Sequence, residues 1–330
     1  MTIDRRKFIR DSSLILSAGA LGTGISGCSD KDAEPNVSAD IEFDSAREEV
    51  ELLASYWTIA GDVDPSGGGR EYSSFDFRDR VEAISRAGFK GMGIWHADLY
   101  KTLETRTLVE MKQILDGNGI VHIEIEFLMD WFLDGEKKGQ SDLDKAKLLG
   151  AAEALGARHV KVGDFFNQEV EMDKVTESFA ALCKDAADVG TRILFEVMPF
   201  AMIDNLADSL TMLEGADADN GGLMIDTWHI VKMGTPYEEL AKIPSRFLLG
   251  VELNDGYLET PEGMSLNEET TQHRKFCGEG EFDLPGFMDA IEASGYDGPY
   301  GVEVLSHANR SLPLDEVVRR AYETTMAQFA

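Results

Sequence analysis

The chain has 330 residues, 43% of them hydrophobic and 28% charged, which is enough to bury a large core in one or two domains. Lys and Arg total 31 against 61 Asp and Glu, which gives a formal net charge of -30. A surface this acidic repels phosphate groups, so nucleic acid and anionic lipid headgroups are not expected as partners.

The first 28 residues have the pattern of an export signal. Paired arginines at positions 5 and 6 precede a short apolar stretch over 12–25, and this arrangement resembles a twin-arginine signal. The sequence Ile-Ser-Gly-Cys over 25–28 resembles a bacterial lipobox, in which Cys28 carries the lipid. Residues 29–48 are polar and lack an apolar period, so they predict a flexible tether. We therefore expect a periplasmic or membrane-anchored lipoprotein that touches the membrane only through Cys28.

From residue 49 to the C terminus, apolar strand-like runs alternate with amphipathic helical segments. The predicted strands cover 52–59, 91–96, 120–128, 159–164, 193–199, 222–226, 247–254 and 300–305. The predicted helices include 76–88, 103–117, 141–156, 174–190 and 314–329, several of which end on the glycine that helix C termini prefer. Eight strand–helix units fit a single-domain (β/α)8 TIM barrel, an α/β fold of typically about 250 residues.

A doubly wound open sheet is the alternative. That fold requires a glycine-rich phosphate-binding turn that leads from the first strand directly into a helix. Gly67, Gly68 and Gly69 are not followed by a helix at that spacing. The barrel is therefore favoured, and the three glycines are interpreted as a flexible loop near the active face.

An acidic residue stands at the end of each of the last four predicted strands: Glu196, Asp226, Glu252 and Glu303. This is the edge of a TIM barrel that carries catalytic groups. A single strand-end acid more often caps the next helix or pairs with a basic neighbour. Four such acids in apolar sequence, with no Lys or Arg in the same strands, require a cation, because an unpaired buried charge costs several kcal/mol. Oxygen ligands favour a hard divalent ion, Mn²⁺ or Mg²⁺, with Co²⁺ or Zn²⁺ as alternatives.

Four sequence segments together resemble the xylose-isomerase-like TIM-barrel superfamily, in its sugar phosphate isomerase/epimerase branch. The segments are Leu-Phe-Glu over 194–196, Ile-Asp-Thr-Trp-His over 225–229, Val-Glu-Val over 302–304 and His-Arg-Lys-Phe-Cys-Gly-Glu-Gly over 273–280. The last is similar to an Arg-before-Pro-Gly-x-Gly element of ketose 3-epimerases, with Cys277 in place of the Pro. The resemblance covers the chain from about residue 54 onward.

The resemblance implies roles for individual residues. Glu196, Asp226 and Glu303 would be metal ligands, while the fourth ligand of the family, usually His or Gln, is replaced here by Glu252. Glu252 either binds the metal directly or lies behind the ligands, with water in the fourth position. His229 and Arg274 would contact the substrate, and Arg274 would hold a substrate oxygen with its forked donors.

In the epimerase relatives the strand-five and strand-eight glutamates also move the proton, which makes Glu196 and Glu303 the expected acid/base pair. A metal that chelates a carbonyl and the adjacent hydroxyl stabilises the enediolate formed by this proton transfer. Isomerisation, epimerisation and β-elimination all begin with that one deprotonation.

Four further residues are expected near the mouth of the barrel. Trp57 and Trp95 could stack on a sugar ring, although strand aromatics more often serve packing, and His96 follows Trp95 directly. Lys161 lies in an apolar strand, where a buried lysine usually pairs with an acid, here Asp164 or Glu126, and it also resembles a family position.

The sequence therefore favours an exported, metal-dependent isomerase or epimerase of an unphosphorylated sugar or keto-glycoside, and it leaves a homo-oligomer open. A lyase or hydrolase of 3-keto-glycosides on the same metal is the enzymatic alternative. A sugar-binding lipoprotein without turnover is the other alternative, and the joint presence of Glu196, Asp226 and Glu303 argues against it. A DNA-repair hydrolase on this barrel is disfavoured by the strongly negative charge and by only six histidines.

Overall fold

The computed structural model describes residues 50–65 and 70–330, which form a closed barrel of eight parallel strands in chain order, with the eighth strand paired to the first. Helices follow the strands, so the chain is the single-domain (β/α)8 TIM barrel expected from the sequence. The predicted export signal, the tether and the Gly67–Gly69 loop lie outside the described residues. The strands are β1 (Leu52–Ala54), β2 (Gly91–Trp95), β3 (His122–Leu128), β4 (His159–Val162), β5 (Arg192–Glu196), β6 (Gly221–Asp226), β7 (Leu248–Leu253) and β8 (Tyr300–Val302).

The helices pack outside the barrel or cover its C-terminal edge. They are α1 (Tyr56–Ile59), α2 (Phe77–Ala87), α3 (His96–Thr102), α4 (Leu108–Gly117), α5 (Gly135–Leu155), α6 (Met172–Ala187), α7 (Leu206–Ala216), α8 (Thr227–Met233), α9 (Tyr237–Leu240), α10 (Leu266–Gln272), α11 (Leu284–Ala293), α12 (His307–Arg310) and α13 (Leu314–Met326), with a final 3₁₀ turn over Ala327–Phe329. None of the helices in the described part of the chain has the length and apolar character required to span a bilayer.

Local signals explain where the helices begin and end. The Asp76 carboxylate accepts a hydrogen bond from the backbone N–H of Arg78 at the start of α2, and Gly88 ends this helix in the left-handed region at φ 113°. Thr107 and Glu110 form a reciprocal capping box at the start of α4. The predicted helix 103–117 therefore begins later than expected, since Thr107 caps it.

The first and last strands are shorter than predicted. The apolar run 52–59 is a strand only to Ala54, and the chain then turns into α1. A short apolar run is compatible with either structure, so its pattern could not place this turn. At the other end β8 stops at Val302, which leaves Glu303 just beyond the strand, at the mouth of the barrel.

Candidate active site

Four carboxylates meet at the C-terminal mouth of the barrel. Glu196, Asp226, Glu252 and Glu303 come from the ends of β5, β6, β7 and β8, and each offers one oxygen that lies within 4.8 Å of the others. All four are at most 5% exposed. Parallel strands that end at the same edge bring these residues together, as the sequence predicts.

Inward-facing glycines give this cluster its space. A Cβ atom on Gly93 of β2 would collide with the carboxylates of Glu124 and Glu126. A Cβ on Gly301 of β8 would lie 2.7 Å from Cγ of Glu252, well inside van der Waals contact. These two glycines thus leave room for carboxylates in the barrel interior, where most TIM barrels have packed apolar layers.

Lys161, from β4, places its ammonium group among the carboxylates. Its Nζ donates to both oxygens of Glu252, at 2.8 and 2.9 Å, and to Oε1 of Glu303 at 3.3 Å. It also lies 3.5 Å from Glu126 Oε2 and 3.8 Å from Glu196 Oε2. The closest partner of the buried lysine is therefore Glu252, and Glu126, one of the two acids expected from the sequence, is a more distant ion-pair partner.

Arg274 supplies the second buried cation, from the loop that follows α10. Its Nη1 donates to Asp226 Oδ2 and to Glu303 Oε2, both at 2.9 Å, and its Nε and Nη2 donate to Thr270. Nη2 also lies 3.3 Å from Nε2 of His229. The forked donors expected to hold a substrate oxygen are directed at protein groups in this structure.

Asp226 combines the two roles that a strand-end acid can have. Its Oδ1 accepts from the backbone N–H of His229 at 3.1 Å and thereby caps α8. Its Oδ2 accepts from Arg274 and, at 2.6 Å, from Asn254 Nδ2. Helix capping and membership of the acidic cluster are therefore compatible in one side chain.

A second polar layer lies next to the cluster. Ser55 Oγ donates to Glu252 Oε1 at 2.7 Å and lies 3.3 Å from Glu124 Oε1. Glu124 Oε2 in turn lies 3.0 Å from His159 Nε2. Burial would raise the pKa of Glu124, but Lys161 and the His159 hydrogen bond outweigh burial and lower that pKa to about 2.

Buried negative charge exceeds buried positive charge at this site. Six carboxylates, those of Glu124, Glu126, Glu196, Asp226, Glu252 and Glu303, are matched by two cations, Lys161 and Arg274. Burial raises the pKa of Glu126 and of Asp226, and burial with repulsion from Glu303 raises that of Glu252. Burial lowers the pKa of His229 to about 3, so this imidazole is neutral at physiological pH and adds no compensating charge.

This donor set fits a divalent cation. Four carboxylate oxygens within 4.8 Å of one another form the oxygen-rich environment that hard ions prefer. The two positive charges of such an ion would offset part of the excess of carboxylates over buried cations. Both oxygens of Glu252 already accept from Lys161, and Oε1 also accepts from Ser55.

A cavity of about 280 Å³ opens above the cluster. The predicted residues that line it are Glu196, Glu303, Lys161, His229, Arg274, Trp57, Trp95 and His96. Asp226 and Glu252 do not line it and lie beneath its floor. The two glutamates expected to move protons are thus the members of the cluster that a molecule in the cavity can reach.

Asp164, the other acid expected to pair with Lys161, does not pair with it. Its carboxylate accepts from the backbone N–H groups of Phe166 and Met202.

Three aromatic residues of the cavity were not anticipated from the sequence. Phe165 and Phe166, which follow Asp164 in the chain, line the cavity together with Phe127. The available signal was two adjacent aromatics directly after the end of a barrel strand, where loops carry binding residues.

Comparison with known proteins places the barrel in a family. Residues 81–325 match the model described as Xylose isomerase-like TIM barrel. The 3-dehydroshikimate dehydratase of Pseudomonas aeruginosa is 25% identical over 239 residues, which cover 71% of this chain but only 37% of that relative. The inosose isomerase of Bacillus velezensis is 20% identical over 262 residues, or 76% of this chain and 91% of that relative.

Solved structures support the same fold. An IOLI protein with a bound zinc atom superposes with a TM-score of 0.69 at 18% identity, covering 84% of this chain and 98% of that chain. D-allulose 3-epimerase from Methylomonas sp. gives a TM-score of 0.63 at 16% identity, covering 85% of this chain and 97% of that chain. Because the family model matches most of its length, the chain belongs to the xylose isomerase-like TIM-barrel family.

Proposed function

We propose that the protein is a metal-dependent sugar isomerase or epimerase that acts on an unphosphorylated sugar or keto-glycoside. The observation that carries the proposal is the convergence of Glu196, Asp226, Glu252 and Glu303 under a cavity that only Glu196 and Glu303 reach. The inosose isomerases among the relatives support the same assignment.

In this proposal Asp226, Glu196 and Glu303 hold a divalent cation, Mn²⁺ or Mg²⁺. Glu252 is either the fourth ligand or lies behind the other three. When bound, the ion supplies Lewis-acid stabilisation of negative charge on a substrate carbonyl oxygen. Lys161 and Arg274 keep the carboxylates together against their mutual repulsion, since each contacts at least two of them.

Proton transfer is assigned to the two glutamates that line the cavity. Glu196 comes from β5 and Glu303 follows β8, three strands further round the barrel, so their carboxylates approach a bound molecule from different sides. One removes the proton from the carbon next to the carbonyl, and the other returns a proton to the neighbouring carbon or to the opposite face. Neutral His229 has Nε2 3.4 Å from Glu196 Oε1 and 3.3 Å from Arg274 Nη2. In the tautomer with the proton on Nε2, it donates to Glu196 and orients that carboxylate.

Elimination is the second candidate, because the 3-dehydroshikimate dehydratases among the relatives are 25% identical to this chain. The same deprotonation, followed by departure of a β-substituent, gives a lyase acting on a 3-keto-glycoside. An isomeric sugar as product indicates the first candidate, and a released aglycone or water with an unsaturated sugar indicates the second.

The test is solvent-deuterium exchange by the Mn²⁺-loaded protein with a panel of ketohexoses, inososes and 3-keto-glycosides. We expect deuterium at the carbon next to the carbonyl, and we expect Glu196→Gln and Glu303→Gln to lose this incorporation by at least about a hundredfold. Glu214→Gln, an exposed position on α7, is the matched control and should be unaffected. Metal-loaded protein that exchanges no deuterium with any member of the panel would contradict the enzymatic proposal and favour a binding protein.

A further inference from the structure

The cavity has two chemically different walls. Carboxylates with Lys161 and Arg274 form one part of its lining, and the rings of Trp95, Phe127 and Phe165 form an apolar part. These rings stack in sequence: Trp95 and Phe127 have centroids 6.3 Å apart at an interplanar angle of 28°, and Phe127 and Phe165 are 4.8 Å apart at 26°. Rings packed on one another in this way form one contiguous apolar part of the cavity lining.

The outer end of this aromatic wall is held in place. The carboxylate of Asp164, only 2% exposed, accepts from the Phe166 backbone N–H at 2.9 Å and from the Met202 backbone N–H at 3.0 Å. The Phe166 side chain lines the cavity and is nevertheless 64% exposed. A large aromatic ring that the backbone holds at a cavity mouth, without being covered, is the kind of exposed apolar surface that marks a binding site.

Charge around the cavity disfavours an anionic ligand. Among the residues described by the structure, Lys161 and Arg274 are the only Lys or Arg side chains that line the cavity. Their donors are already taken up by carboxylates and, for Arg274, also by Thr270. Glu71 lies at the rim, and Glu126 lines the interior. A phosphate group inside the cavity would therefore meet repulsion from these carboxylates, whereas a neutral molecule would not. Lys137, whose Nζ lies 5.8 Å from the centroid of the Phe166 ring, does not line the cavity.

From this arrangement we propose that the ligand is a neutral glycoside with a planar apolar substituent, with its sugar over the carboxylates and its aromatic aglycone on Trp95, Phe127, Phe165 and Phe166. The placement of the sugar rests on the proposed function. The aglycone subsite rests on the aromatic wall alone. An aromatic group stacked on such a wall is expected to tighten binding about five- to tenfold relative to a methyl group at the same position.

The test is calorimetric titration of the full chain with neutral and charged probes. The neutral probes are methyl and phenyl D-glucopyranoside, each as both anomers, and the charged probe is glucose 6-phosphate. We expect the Kd of one phenyl anomer to be about five- to tenfold lower than that of its methyl counterpart, and glucose 6-phosphate to bind most weakly. Phe166→Ala and Phe165→Leu should reduce the phenyl preference to less than about twofold. Val109→Ala, at an exposed apolar position on α4 that does not line the cavity, is the control.

Equal affinity for phenyl and methyl glycosides, a preference that survives both Phe variants, or tighter binding of the phosphate would each overturn the proposal. Because Phe166 is exposed, its Ala variant is expected to fold. Titration of Glu196→Gln with the same probes, together with its deuterium exchange, separates this inference from the proposed function. If the variant loses deuterium exchange but retains the phenyl preference, the aglycone subsite exists independently of the proposed reaction.

Discussion

Lys161 and Glu252 form a bidentate ion pair inside the barrel, with Nζ 2.8 Å from one carboxylate oxygen and 2.9 Å from the other. Both side chains are at most 1% exposed. The same ammonium group is within 4.0 Å of Glu126, Glu196 and Glu303. This lysine is therefore the internal cation around which the candidate site is built.

Lys161→Met is expected to destabilise the metal-free protein by about 3–5 kcal/mol, because it leaves several buried carboxylates without their partner. Mn²⁺ should restore more stability to this variant than it adds to the wild type, since the ion replaces part of the lost charge. Denaturant unfolding with EDTA and with Mn²⁺ measures both effects. Lys101→Met, which removes an exposed ion pair with Glu104, is the matched control and should leave the midpoint in place. Equal midpoints for Lys161→Met and wild type would contradict this assignment.

Asp255 is expected to fix the loop that carries Arg274. Its carboxylate accepts from the backbone N–H groups of Gly256, Gly278, Gly280 and Phe282 at 2.8–3.0 Å. Asp255→Ala leaves these donors without an acceptor, and we expect a loss of about 3–5 kcal/mol in the free energy of unfolding.

The comparison for that variant is Asp283→Ala, which removes the N-cap of α11 and should cost about 1 kcal/mol. Urea unfolding of both proteins gives the two values. If Asp255→Ala costs no more than the helix-cap variant, the carboxylate does not organise the loop.

The stability of the protein should respond to pH through His159. Burial lowers the pKa of this histidine despite its hydrogen bond with Glu124, so the folded state keeps it neutral at a pH where the unfolded chain takes up a proton. Its contribution is present above the unfolded pKa of about 6.5 and is lost as pH falls below that value, at up to about 1.4 kcal/mol per pH unit.

His159→Gln removes this titration. The stability difference between wild type and the variant should therefore shrink as the pH is lowered from 7.5 to 5.5, and chemical unfolding at several pH values follows it. A difference that stays constant or grows on acidification would show that His159 is not held neutral in the folded protein.

Cys28 is predicted to carry a lipid after export. Cys28→Ala should move the protein from the membrane fraction to the soluble fraction, since acyl chains supply membrane affinity of about 0.8 kcal/mol per buried CH₂. Fractionation followed by mass analysis of the N terminus checks this, and replacement of both Arg5 and Arg6 by Lys should block export. A wild-type protein that is found entirely in the cytoplasm, with an unmodified Cys28, would remove the prediction.

The convergence of the four acids was predictable, because parallel strands in one barrel end at the same edge. Glu196, Asp226, Glu252 and Glu303 each stand at a strand end that the apolar pattern marks to within a few residues. The same rule placed Trp57, Trp95 and His96 at the mouth. Fold and cluster therefore follow from local pattern plus one topological rule.

Contacts between elements that are far apart in the chain could not be predicted from the sequence. Arg274 comes from a loop, so no strand pattern showed that it would reach Asp226 and Glu303. For Lys161 the sequence suggested Asp164 or Glu126, whereas its closest partner in the barrel is Glu252, with Glu126 3.5 Å away. These pairings depend on where side chains cross the barrel interior, which periodicity does not encode.

The central claim is that the strand-end carboxylates hold one divalent cation, and direct metal titration tests it. Purified protein stripped with a chelator should take up one equivalent of Mn²⁺ per chain in calorimetry, confirmed by elemental analysis. Asp226→Asn and Glu303→Gln should each weaken this affinity by at least about tenfold, while the exposed Glu214→Gln should not. Stripped protein that binds no divalent ion, or variants that bind Mn²⁺ as tightly as wild type, would contradict the claim.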